Sequence, residues 1–106
     1  MVKLIALYKM PADKAAFDDN YFNSHIPLAM KMPGLKKAEV SKVTGAPMGE
    51  APYYLMAELY FDNKEALDAA MSSPEGRASA KNLMGFAKEI VSMMFAEVEE
   101  KIPAAV

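Results

Sequence analysis

Residues 53–61 read YYLMAELYF, nine positions that are aromatic or aliphatic at all but one. Side chains alternate across a strand, so Tyr53, Leu55, Ala57, Leu59 and Phe61 fall on one face. Tyr54, Met56, Glu58 and Tyr60 fall on the other. Both faces are apolar, which predicts a central strand with Glu58 as the one charge inside it.

Three further segments read as strands. Residues 2–9 (VKLIALYK) place Val2, Leu4, Ala6 and Tyr8 on one face, with Ile5 and Leu7 beside Lys3 and Lys9 on the other. That pattern predicts a second central strand, buried on both faces at its middle. Residues 35–45 (LKKAEVSKVTG) alternate, Ala38, Val40 and Lys42 opposite Glu39, Ser41 and Val43, as in a strand partly open to solvent. The loop APMGEAP follows at 46–52. Residues 90–97 (IVSMMFAE) set Val91, Met93 and Phe95 against Ile90, Met94 and Ala96.

Helical spacing fills the gaps. Asp13 can cap a helix by accepting a hydrogen bond from a first-turn amide. In FDDNYFNSHIPLAMKMPGL (17–35), Phe17, Tyr21 or Phe22, His25, Leu28 or Ala29, and Met32 recur every three or four residues. Pro27 interrupts this run, either kinking the helix or starting a second short turn, and Pro33-Gly34 ends it. Asn63 caps a helix with Ala66, Leu67, Ala70 and Met71 on its apolar stripe. Pro74 opens another stretch, PEGRASAKNLMGFA, with Leu83, Phe86 and Ala87 inward. The tail from about residue 99 is expected to be a flexible end or a short arm.

The order β-α-β-β-α-β in 106 residues predicts one α+β domain of ferredoxin-like form, a four-stranded antiparallel sheet with both helical segments on one face. Helices cover only one side of such a sheet. The strands at 2–9, 53–61 and 90–97 are apolar on both sides, and soluble monomers tolerate exposed apolar patches of roughly 300–600 Å². A homodimer packed sheet to sheet is the expected solution.

Composition narrows the chemistry. Twelve basic and fourteen acidic residues give a net charge of −2 with no Lys/Arg cluster, so nucleic acid is not an expected partner. No run of 18 apolar residues occurs, so no membrane span is expected. The opening MVKLIALYKMP lacks the basic flank and cleavage site of a signal peptide, which predicts a cytoplasmic protein. One histidine and no cysteine predict no metal site, and five scattered glycines make no nucleotide loop, so no cofactor is expected. Ten methionines fit either a gap-filled core or a plastic apolar pocket or interface.

The segments VKLIALYKM, FDDNYFNSHIPLAMKMPGL and YYLMAELYF, with the turn SSPEGRA, resemble the EthD-like proteins of the dimeric α+β barrel superfamily. Tyr21-Phe22, His25-x-Pro27 and Pro33-Gly34 are similar to that family's first-helix signature, and Ser73–Gly76 to its S-P-E-G stretch. The resemblance spans residues 2 to about 97. It implies a homodimer with a small-molecule cleft between each sheet and its own helices. Relatives in the superfamily include cofactor-free monooxygenases, lactone isomerases, polyketide cyclases and haem-degrading proteins, so the reaction stays open.

Within this frame His25 is the candidate catalytic base or acid, since imidazole titrates near neutral pH. The plainer alternative is a core histidine bonded to the backbone or to Tyr21. Tyr21 could orient a substrate oxygen or simply fill the core. Phe17 and Tyr8 are expected to contact the substrate. Glu58 lies either in the dimer barrel, paired with a cation, or in the cleft with a raised pKa. Two functions compete: an enzyme that moves a proton in isomerising, cyclising or oxygenating a small apolar or aromatic compound, and a non-catalytic binder or accessory of a degradation pathway. A vestigial cleft on a structural dimer is the third reading.

Overall fold

Two of the strands with apolar residues on both faces, β1 (Val2–Tyr8) and β3 (Leu55–Phe61), pair antiparallel at the centre of the sheet. Leu4 lies opposite Leu59 and Ala6 opposite Ala57. β4 (Val91–Glu97) joins the free edge of β1, and β2 (Lys37–Lys42) the free edge of β3, giving the order β2-β3-β1-β4. All pairings are antiparallel, and the ferredoxin-like βαββαβ arrangement expected from the sequence is present. The computed structural model describes residues 1–105; Val106, the end of the expected tail, lies outside the described residues. Residues 98–105 carry neither helix nor strand.

The alternation read from the sequence decides which side is covered. Leu4, Ala6 and Tyr8 of β1, with Leu55, Ala57, Leu59 and Phe61 of β3, are buried beneath the helices. On the other face Ile5, Leu7, Met56 and Tyr60 are only half-buried in the single chain. β4 is less covered still. Its pairing puts Met93 opposite Ala6 and Phe95 opposite Leu4, on the helix side, yet Phe95 is 65% exposed because the helices do not reach that edge.

The first helical segment shows how Pro27 is accommodated. α1 (Lys14–Asn20) starts at Asp13, whose carboxylate accepts from the Ala16 amide at 3.0 Å. Tyr21–His25 then form a π-helical turn, in which the Ile26 N–H donates to the Tyr21 carbonyl five residues back. Proline has no N–H and its ring crowds the carbonyl four residues before it. The wider turn leaves that carbonyl room, and α2 (Ile26–Ala29) begins with Pro27 in its first turn. Gly34 follows at φ +78°, a left-handed conformation that ends the segment.

Tyr54 corrects one expectation. It was grouped with Met56, Glu58 and Tyr60, but β3 begins only at Leu55, so the alternation does not extend to it. Its ring meets Phe17 at 5.8 Å and its hydroxyl donates to Asp18 of α1 at 2.9 Å. Lys42 of β2 reaches the same carboxylate at 2.9 Å, so the edge strand and the first helix are clasped together.

α3 (Lys64–Ser72) and α4 (Pro74–Ala87) complete the layer. Asn63 caps α3 through the Ala66 amide at 2.8 Å. Ser73 caps α4, its hydroxyl accepting from the Gly76 amide at 3.0 Å and donating to the Ala70 carbonyl at 2.6 Å. These bonds draw α4 against the end of α3. A methyl at Gly76 would overlap the carbonyl oxygens of Ala70 and Met71, so the glycine is required by close approach of backbone. Gly76→Ala is therefore expected to destabilise the fold by about 1–3 kcal/mol in urea unfolding. Gly85→Ala, where the added methyl meets nothing within 4 Å, should instead stabilise it by about 0.4–1 kcal/mol.

Candidate active site

Between the helices and the sheet lies a cavity of about 40 Å³, with Tyr8, Tyr21, His25 and Ser79 as its polar lining. The rest of the wall is apolar, including Met32, Met71 and Met93, and no charged side chain takes part. An apolar cavity that admits benzene measures roughly 150 Å³, so this one takes an aromatic compound only if side chains move. Methionine, with three rotatable bonds, is suited to that.

Three of the expected residues meet here. Tyr8 arrives from the end of β1 and Tyr21 and His25 from the π-turn, all at most 7% exposed. Tyr8 and Tyr21 meet edge-on at 5.3 Å, and Tyr21 and His25 lie 5.5 Å apart at 37°. Phe17 stacks on Tyr21 at 5.6 Å and meets Tyr8 at 5.5 Å. It does not line the cavity, where a substrate contact was expected of it; it backs the two tyrosines that do.

Glu58 stands apart from this group. It lies on the sheet face away from the helices, bonded to Lys3 at 2.7 Å, and is absent from the cavity wall. Of its two readings, pairing with a cation on the open face is the one the fold adopts. The reason is register: Glu58 stands opposite Ile5, and both point away from Leu4 and Ala57.

The neighbours set the charge states. Burial holds the His25 imidazole below its ordinary pKa, and the adjacent Asn82 side chain acts in the opposite sense. His25 Nδ1 and Asn82 Oδ1 are both buried without a hydrogen-bond partner. Burial raises Tyr21 to about 12, against a lowering contribution from Tyr8. Tyr8 is pushed up further, by burial and by its contact with Tyr21. At neutral pH the site therefore presents a neutral imidazole and two protonated phenols. Ser79 and Asn82 were missed by the sequence reading, although both fall near the inward stripe of Leu83 and Phe86. Among the described residues no group of three or more His, Asp or Glu could hold a metal ion, and no helix is long and apolar enough to cross a membrane.

Residues 9–89 match the EthD domain. An uncharacterised 11.0 kDa protein of Rhodococcus erythropolis, from the thcB-thcC intergenic region, is 34% identical over 103 residues, 97% of this chain and all of its own. The crystal structure of an EthD family protein from Bacillus halodurans superposes with a TM-score of 0.89 at 51% identity, covering 92% of this chain and 98% of that one. SnoaB, a cofactor-independent oxygenase from Streptomyces nogalater, shares the fold at a TM-score of 0.71 and 13% identity over 97% of both chains.

A buried neutral histidine makes stability depend on pH. The unfolded chain takes up a proton near the ordinary 6.5, which the folded chain resists. The contribution is complete above about pH 6.5 and is lost as the pH falls toward the lower folded pKa. The urea midpoint should drop over that window in the native chain, and the drop should shrink in His25→Gln.

Proposed function

This chain belongs to the EthD family, and from that premise we propose that it is a cofactor-independent enzyme acting on a small, neutral, apolar or aromatic oxygenated compound. The observation that carries the proposal is the neutral imidazole of His25, buried beside an apolar cavity and two protonated tyrosines. A neutral imidazole is a base at physiological pH, and burial leaves it free of competing water. It takes a proton from carbon next to a carbonyl, or from a hydroxyl. The charge that develops on the substrate oxygen is met by the Tyr21 or Tyr8 hydroxyl, which donates a hydrogen bond without surrendering its proton. Returning the proton elsewhere gives isomerisation or cyclisation. Reaction of the carbanion with dioxygen gives oxygenation, the class to which SnoaB belongs.

A wall with no charged residue disfavours carboxylate ligands, whose desolvation nothing would offset. It suits neutral ketones, phenols and quinones. The same apolar wall supports the second reading, a binder that holds such a compound without transforming it. A thermal-shift screen of neutral aromatic and ketone compounds, followed by turnover assays of each hit, separates the two. On the enzymatic reading His25→Ala loses about 10²–10⁴-fold in kcat and Tyr21→Phe about 10²-fold, with smaller changes in KM. Hits that bind the native chain with no turnover support the binder.

The open sheet face supports a homodimer, as in a dimeric ferredoxin-like protein of Thermobifida fusca with the same fold. Ile5, Leu7, Met56 and Met94 form an apolar field around the Lys3–Glu58 pair. Light scattering at micromolar concentration should give twice the chain mass; a stable monomer would contradict the assignment.

A further inference from the structure

Among the described residues, His25 Nδ1 and Asn82 Oδ1 are the two buried side-chain nitrogen or oxygen atoms with no hydrogen-bond partner. They belong to elements packed on one another, the π-turn and α4. Phe86, one turn beyond Asn82 on α4, meets the His25 ring edge-on at 6.3 Å. Asn82 therefore stands alongside the imidazole, where its side chain favours the protonated ring.

Two orphaned polar atoms on facing elements are costly, and a proton on Nδ1 satisfies both with the amide oxygen where it stands. With the hydrogen on Nδ1, side-chain rotation lets Nδ1–H donate to the Asn82 carbonyl oxygen. With the hydrogen on Nε2, Nδ1 becomes an acceptor, and Asn82 serves it only by turning its amide to present the NH2 in place of the buried Oδ1. The hydrogen bond made by one ring nitrogen fixes the role of the other. We propose that Asn82 is a positioning residue that holds His25 as the Nδ1–H tautomer, leaving the Nε2 lone pair as the base that takes the substrate proton.

This rests on the catalytic reading of His25. The proton leaves the substrate for Nε2, the electron pair stays on the substrate, and Nδ1–H keeps its bond to Asn82 throughout. A neutral amide suits this place, since it supports the imidazolium that forms without burying a fixed charge in an uncharged wall. The other ionisable groups at the cavity are the hydroxyls of Tyr21 and Tyr8. From α4, Ser79, Asn82 and Phe86 contribute none.

His25 is the only histidine, so chain labelled with ¹⁵N-histidine gives one pair of ring-nitrogen signals. Above its pKa the native protein should show a protonated, pyrrole-like Nδ1 and a pyridine-like Nε2. Asn82→Leu should move the proton toward Nε2 and lower the titration midpoint by about 0.5–1 pH unit, while Asn82→Asp keeps Nδ1–H and raises the midpoint above that of the native chain. With a turned-over substrate, Asn82→Leu should lose about 10–100-fold in kcat with little change in KM. A pyridine-like Nδ1 in the native protein overturns the proposal, and that measurement needs no variant to fold. The tautomer is read without substrate, so this result and the loss of turnover in His25→Ala can fail independently.

Discussion

The packing of Tyr8 against Phe17 and Tyr21 fastens the sheet to the first helical segment, and the site depends on it. Tyr8 is the last residue of β1, and its ring meets both partners edge-on within 5.5 Å. Phe17 and Tyr21 stack on each other one turn apart. Edge-to-face rings add roughly 0.5–1.5 kcal/mol per pair beyond their buried area, and they fix angle as well as distance. The π-turn is thus held where Tyr21 and His25 both face the cavity. Pro27 explains why that turn is wide, and the aromatic cluster explains where it points.

The same packing arranges two kinds of proton holder. Burial acts in opposite directions on acids and bases, disfavouring the charged form of each. It keeps the phenols protonated and the imidazole deprotonated, so one apolar wall produces both a base and hydrogen-bond donors. No ion pair is needed at the site, and the Lys3–Glu58 pair lies on the opposite side of the sheet.

Much of this was legible in the residues. The alternation of Leu4, Ala6 and Tyr8, the caps at Asp13 and Asn63, and the four-residue steps from Phe17 to His25 are local patterns, and the fold keeps them. Glu58 was ambiguous because a strand apolar on both faces carries no mark of which face the helices cover. Tyr54 was misplaced because strand periodicity gives no sign of where the strand begins. The π-turn was anticipated only as an interruption at Pro27, since the sequence allows either a kink or a fresh turn. Asn82 and Ser79 were invisible for another reason: a polar residue on a helix becomes part of a site only through what packs opposite, and that is a tertiary fact.

Gly76 has a mechanical consequence for the cavity. Because the α3 carbonyls rest directly on its backbone, with Ser73 bonded to both sides of the joint, α3 and α4 behave as a single stiff corner brace along one wall. Expansion to admit a ligand falls to the softer parts of the lining. These are the three methionine thioethers and the π-turn, whose wide hydrogen-bonded loop yields before a close backbone contact does. The rigid wall acts as an anvil against which the compliant side fits its guest, and it is the wall that carries Asn82.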